Sequence, residues 1–283
     1  MNKPTILVLA GCVVLALLFL FGKTSIPKKA LPATEAPAAV QQFDIQKFID
    51  SVTNKLPISQ SLQVKQLENN ITRGDIPAQK IQQYNSLAAF WKDSGKLFEP
   101  YAYYISEAAK LDNSEKNLTF AAQLFLDNLR AEHDEAKLSW EANNAIALFE
   151  KAIAINPDND ELRIGLGSSY VFGKGRGGTD ANATMQGIQE LLKVVRKDST
   201  NMKAQFVLGV GGYVSGQYDK AVERFHKVIA AQPDNIEAIA FLADTYAAKG
   251  DKANAVKWYN VSKRLVNNPA YSKEVDARIE AIK

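Results

Sequence analysis

The ten residues EKAIAINPDN (Glu150 to Asn159) return later in the chain as HKVIAAQPDN (His226 to Asn235). Self-similarity of this kind confines a chain to architectures assembled from copies of one small unit. Apolar residues recur at spacings of three and four, as in Phe43, Phe48, Ile49, Val52 and Leu56, and Gly and Pro fall mainly between such stretches. Alternating apolar and polar runs bounded by turn signals are few, so no sheet is predicted. The unit is therefore helical, the two matching stretches read as helix ends, and each proline stops its helix because it cannot donate to the turn before it.

Reading upstream from each match gives the rest of the unit. Before Pro233 stand Leu208, Gly209, Gly216, Tyr218, Ala221, Phe225 and Val228, and before Asn267 stand Leu242, Ala243, Tyr246, Gly250, Ala255 and Tyr259 at matching offsets. This pattern resembles the 34-residue tetratricopeptide repeat, a helix-turn-helix unit. Small residues at two fixed positions let the paired helices approach, and a large aromatic fills the gap between repeats. Looser copies follow the same outline: one is marked by Leu87, Trp91, Gly95, Ala108 and Asn113. A second closes with Ala145, Phe149, Ala152 and Pro157, and a third runs from Leu166 and Tyr170 to Leu191, Val194 and Ser199. The ends Asn113, Pro157, Ser199, Pro233 and Pro269 are separated by 44, 42, 34 and 36 residues, so the two longer copies are expected to carry loop insertions. Glu132 to Trp140 is the expected insertion in the second copy and the glycine-rich run Gly173 to Asp180 in the third.

The resemblance implies an all-α fold, a right-handed α-solenoid of about five such units over residues 80–269. Val275, Ile279 and Ile282 mark a capping helix within 270–283, covering the apolar face of the last repeat. Residues 43–79 are expected to form one or two helices over the N-terminal end, with 59–75 open to a looser arm.

The chain begins differently. From Thr5 to Gly22 it carries eighteen residues without a charge, enough at 1.5 Å per helical residue to cover roughly 27 Å of a ~30 Å hydrocarbon core. A cleaved signal peptide is the competing reading, but the run is long for one and ends Leu-Phe-Leu-Phe-Gly-Lys rather than in small residues, so residues 1–23 are read as an uncleaved transmembrane signal-anchor. Leu9-Ala10-Gly11-Cys12 resembles a lipoprotein processing site, yet too few apolar residues precede Cys12 and ten follow it. Residues 24–42, with Pro27, Pro32 and Pro37 among alanines, form a semi-extended tether. Lys23, Lys28 and Lys29 against Lys3 favour a cytoplasmic domain on positive-charge count. Resemblance to bacterial signal-anchors favours the opposite side, and the expectation is a single-pass inner-membrane protein with a periplasmic repeat domain.

Thirty-four basic against 31 acidic side chains, a net charge of +3, give no field suited to nucleic acid. Two histidines and one cysteine leave no zinc set, nucleophile-base pair or cofactor motif, so neither catalysis, a metal nor a cofactor is expected. Gly173 to Gly178 lacks the Lys-Ser/Thr ending and preceding strand of a phosphate loop, and is read mainly as a flexible insertion, with anionic or partner contact by Lys174 and Arg176 as the functional alternative.

In tetratricopeptide proteins the first helices of the repeats line a concave groove. The matching positions here are Ile164, Ser168, Phe206, Val210 and Asp244, with Tyr213 beside them. The lysines and asparagines of the carboxylate-gripping branch are missing. Phe206, Val210 and Tyr213 make either an apolar strip for a peptide or packing between neighbouring helices. Gly209, Gly211 and Gly212 weaken their helix by ~1 kcal/mol each relative to Ala, a cost that close packing or a bound backbone must offset. The expected function is a membrane-tethered scaffold holding an envelope or membrane-complex protein by this groove, in assembly, secretion or chaperoning. A homo-oligomeric or structural subunit, contacted on its convex face and loops, is the alternative.

Overall fold

The computed structural model describes residues 42–73 and 76–282, and within them thirteen α-helices and no strand. The expected anchor at 5–22 lies outside the described residues, as do residues 24–41 of the tether. Among those described, no helix is long and apolar enough to cross a membrane.

Helices α1 (Ile45–Thr53) and α2 (Ile58–Arg73) precede five hairpins. These are α3 (Pro77–Phe90) with α4 (Phe98–Asp112), α5 (Glu115–Leu129) with α6 (Glu135–Ile155), and α7 (Asp160–Ser169) with α8 (Ala181–Lys197). The last two are α9 (Met202–Val214) with α10 (Tyr218–Ala231), and α11 (Ile236–Lys249) with α12 (Lys252–Val266); α13 (Pro269–Ile282) ends the stack.

The repeated Pro-Asp-Asn does more than stop a helix. After α6 and α10 the chain turns through Pro157 and Pro233, and Asn159 and Asn235 then cap the next hairpin, accepting from the N–H of Glu161 at 3.1 Å and of Ala238 at 2.9 Å. Asn201 does the same for α9 through Ala204 N–H at 3.0 Å. Each satisfies one of the otherwise unpaired donors of a helix start.

Small residues set the approach of the helices. A Cβ on Gly209 of α9 would lie 2.6 Å from the ring of Phe225 on α10, and one on Gly165 of α7 would lie 2.3 Å from Phe149 on α6. Close packing thus accounts for glycines inside a helix. The buried residues form four clusters that hand over along the stack: Ile105 packs against the first two, α7 supplies both middle ones, and Tyr246 and Trp258 pack against the last two. Val275 and Ile279 of α13 close the C-terminal end over Ala243, Ala255 and Tyr259. At the other end α2 is a regular helix, with Val64 fully buried and Glu68 accepting from the Tyr104 hydroxyl at 2.7 Å, rather than a looser arm.

The run Gly173 to Asp180 does lie between α7 and α8, as expected, whereas the insertion of the second repeat is mostly helix. In the second repeat the extra residues lengthen α6, a helix of 21 residues that starts at Glu135. Trp140 therefore sits in a helix, its ring 5.2 Å from Phe125 and 5.3 Å from Phe43. Asp134 makes the early start by capping Ala136 and Lys137 N–H. In the third repeat the glycine-rich run is a packed bend: a π turn at Tyr170–Lys174, then a 3-10 turn at Arg176–Gly178. Gly173 is buried where a Cβ would meet that of Ala142 at 2.5 Å, and Arg176 Nη1 donates to the carbonyls of Leu129 at 3.0 Å and Glu132 at 2.6 Å.

Candidate functional site

The first helices of the last three hairpins, α7, α9 and α11, build one face of the stack, and the bend after α7 folds onto it. Between them lies a cavity of about 210 Å³. Its apolar wall comes from Val171 and Phe172 of the bend, Val210, Tyr213 and Val214 of α9, and Phe241 of α11; Arg130, Arg176 and Gly177 form the rest. Phe241 is fixed by stacking on Phe225 with ring centroids 5.8 Å apart, and Tyr213 meets Phe241 edge-on at 6.1 Å.

The two guanidinium groups are held differently. Arg176 is pinned by two main-chain carbonyls, and among the described residues no carboxylate stands within ion-pair distance of it. The carboxylate of Glu132 turns back to accept from the N–H groups of His133 and Asp134, both at 2.7 Å. Arg130, just after α5, lies 5.2 Å over the Phe172 ring and pairs through Nη2 with Glu237 at the start of α11. That pair ties the second hairpin to the fifth.

Of the residues expected in the groove, Val210 and Tyr213 line this cavity. Phe206 is half-buried beside it, its ring 6.0 Å from Phe225 and 5.8 Å from Phe241, so it packs between helices as well as bordering the groove. Ile164 and Ser168 are each only 6% exposed and lie outside the lining. Asp244 is engaged at the C-terminal end, accepting from the Tyr259 hydroxyl at 2.5 Å and from Arg278 Nη1 at 3.1 Å to each oxygen. Burial, followed by the charge of Asp244, raises the pKa of Tyr213, and the phenol stays protonated at neutral pH.

Arg130, Phe172 and Phe241 were not legible as site residues. Phe241 lies three places before Asp244, off the groove positions that the repeat pattern gives, and Arg130 lies in a connection outside any repeat position. Arg176 carried a signal, a cation in a glycine-rich run. In that run the N–H groups of Gly175, Gly178 and Thr179 donate to the carbonyls of Tyr170, Gly175 and Arg176 and are not turned towards an anion.

Two further features lie apart from this face. A cavity of about 170 Å³ between α3, α4 and α5 is lined by Ile81, Asn85, Ile105, Ala108, Ala109, Asp112, Asn117 and Phe120 and has no cation. Glu141 on α6 is fully buried; Asn128 Nδ2 donates to its Oε1 at 2.8 Å, while Oε2 has no partner. Burial pushes its carboxyl up to about 7. Among the described residues no cluster of three or more His, Cys, Asp or Glu side chains is arranged to hold a metal ion.

Residues 215–273, the fourth turn through the start of α13, match the tetratricopeptide repeat family model. The chain is 26% identical over 181 residues to the CTR9 homolog of Arabidopsis thaliana, a match covering 59% of this chain and 15% of that protein, so the chain spans only a small part of the relative's length. A tetratricopeptide repeat protein from Parabacteroides merdae superimposes with a TM-score of 0.55 at 14% identity, over 84% of this chain and 86% of that one. The crystal structure of MamA protein gives 0.47 at 20% identity, over 67% and 93%. What the likeness to the Parabacteroides structure carries is the fold: stacked tetratricopeptide hairpins.

Proposed function

We propose that the protein is a non-enzymatic scaffold that holds a partner protein by a segment laid along the face built by α7, α9 and α11. The observation that carries this reading is the open apolar cavity at Val210, Tyr213 and Phe241, on the face tetratricopeptide stacks use for recognition. A fold of nearest-neighbour hairpins offers surface rather than a convergent set of reacting groups. The eighteen uncharged residues from Thr5 to Gly22 support tethering to an inner membrane, and a tether raises the local concentration of whatever the groove holds; the periplasmic side is taken from the resemblance to bacterial signal-anchors, against the positive-charge count. Groove residues on this reading are Phe206, Val210 and Tyr213; Ile164, Ser168 and Asp244 support the helices that present them. The partner is an envelope or membrane-complex protein, and the work is assembly, secretion or chaperoning.

A second reading has its own observation. Ile58 and Leu62 stand one turn apart on α2 and are 81% and 62% exposed, an apolar strip at the N-terminal end suited to a subunit contact. A photo-crosslinking residue placed at Tyr213 or at Ile58, in the native membrane, separates the two. Partner adducts from Tyr213 alone support the groove; adducts from Ile58 alone make the protein a structural subunit. A reporter fused after Lys283 reads the side of the membrane.

A further inference from the structure

The cavity between the bend and α9 is small and of mixed character. Small-molecule sites usually enclose about 300–1,000 Å³, and a void of about 150 Å³ already accepts a benzene ring. At about 210 Å³ this one suits a single large side chain better than a free metabolite. Its walls are aromatic and aliphatic, and the two charged groups on its lining are both cationic. Arg176 donates to two carbonyls, and among the described residues no carboxylate stands within ion-pair distance of it beside this apolar surface. Arg130 lies over the Phe172 ring and has one carboxylate partner, Glu237, reached across the face from another hairpin, and both side chains are partly open to solvent. A guanidinium in such surroundings gains most from a carboxylate, which accepts two parallel N–H bonds. A phosphate would look for further donors in the bend, where the N–H groups of Gly175, Gly178 and Thr179 are spent on its own carbonyls.

We propose that this pocket reads an acidic-apolar pair in a partner peptide: a Phe, Leu or Trp side chain enters between Phe172, Val214 and Phe241, and an Asp or Glu within three residues of it pairs with Arg176 and takes Arg130 from Glu237. The inference rests on the groove reading above and names the chemistry of its ligand. Glu237 is then a built-in competitor, a carboxylate of this chain occupying the place of the partner's.

The test uses the full-length protein and a panel of end-blocked, fluorescein-labelled nonapeptides. Each carries Asp or Glu one to three residues from Phe, Leu or Trp in a Gly-Ser background, and binding is read by anisotropy at low salt, where exposed charges are least screened. Acidic-apolar peptides are expected to bind, and their Asn or Gln counterparts about tenfold more weakly or worse, the loss of one charge-assisted contact. Arg130→Gln should weaken the acidic peptides, Val214→Trp should block them by filling the pocket, and Glu237→Gln should tighten them several-fold. A merely structural role for the ion pair would not produce that gain. Equal binding of neutral counterparts, or an unchanged affinity in Glu237→Gln, overturns the inference; if that binding is still lost in Val214→Trp, the groove reading survives it. Failure of every acidic-apolar peptide also overturns it. Partner crosslinks from Tyr213 would then still uphold the groove, and their absence would bring down both.

Discussion

A carboxylate fully enclosed at Glu141, with one oxygen unpaired, is the least comfortable group in the stack. Its ordinary pKa of 4.5 is raised to about 7 by burial, against a lowering from the Asn128 hydrogen bond. The native state thus holds this proton more tightly than the unfolded chain. The associated stability is fully present below about pH 4.5 and is lost as pH rises through about 7. Glu141→Gln should therefore raise the melting temperature at pH 8, and flatten the decline between pH 5 and 8, as read by thermal denaturation at both values. At Gly209 two effects oppose each other. Alanine would add about 1 kcal/mol of helix propensity, but its Cβ would stand 2.6 Å from the Phe225 ring, an overpacking that costs about 1–3 kcal/mol. Phe225 is fully buried and its ring is flanked by Phe206 and Phe241, so it has nowhere to go. Gly209→Ala is expected to destabilise in chemical denaturation, and a gain would show that the ring can move. Asn235→Ala removes the cap from α11 and should cost about 1 kcal/mol in the same assay.

At the scale of elements, the helices were readable because their apolar period and their punctuation agree. The recurring Pro-Asp-Asn looked like an ending and is also a beginning, since the asparagine caps the following helix. What periodicity could not supply was the fate of the insertions. Residues 135–140 are polar enough for a loop, but Asp134 caps them and Trp140 finds Phe43 and Phe125, a contact reaching from the N-terminal residues to the second hairpin. The bend after α7 stands where the glycine-rich run predicts an inter-helix insertion, but nothing in the run itself shows that Gly173 is set for close approach to Ala142. Such facts depend on partners remote in the sequence, and no local pattern records them. The same holds for the groove: Val210 and Tyr213 followed from repeat positions, whereas Arg130 reached the site only through the fold. Ending the chain at Asn268 would strip Val275 and Ile279 from Tyr259 and Ala243. Removing α13 should lower the melting temperature and expose α11 and α12 to hydrogen exchange before the hairpins nearer the N-terminus, because a terminal repeat depends on its cap.

On the scale of the whole repeat stack, stability passes from hairpin to hairpin through four linked cores, and one ion pair among the described residues reaches past two hairpins. Arg130 and Glu237 are 107 residues apart in sequence and belong to the second and fifth hairpins. Both side chains are substantially exposed, so the pair should add no more than about 1 kcal/mol to folding. Glu237→Ala is accordingly expected to leave the denaturation midpoint almost unmoved at 0.15 M salt. A loss beyond about 2 kcal/mol would mean that the fold, rather than recognition, is what the pair secures.

A stack whose hairpins grip only their neighbours behaves under load like a spring, stretching a little at every junction. One cross-brace between the second coil and the fifth shortens the part that can extend. Whatever draws Arg130 away would restore that give, so a guest in the groove would be felt as slack by anything pulling on the two ends.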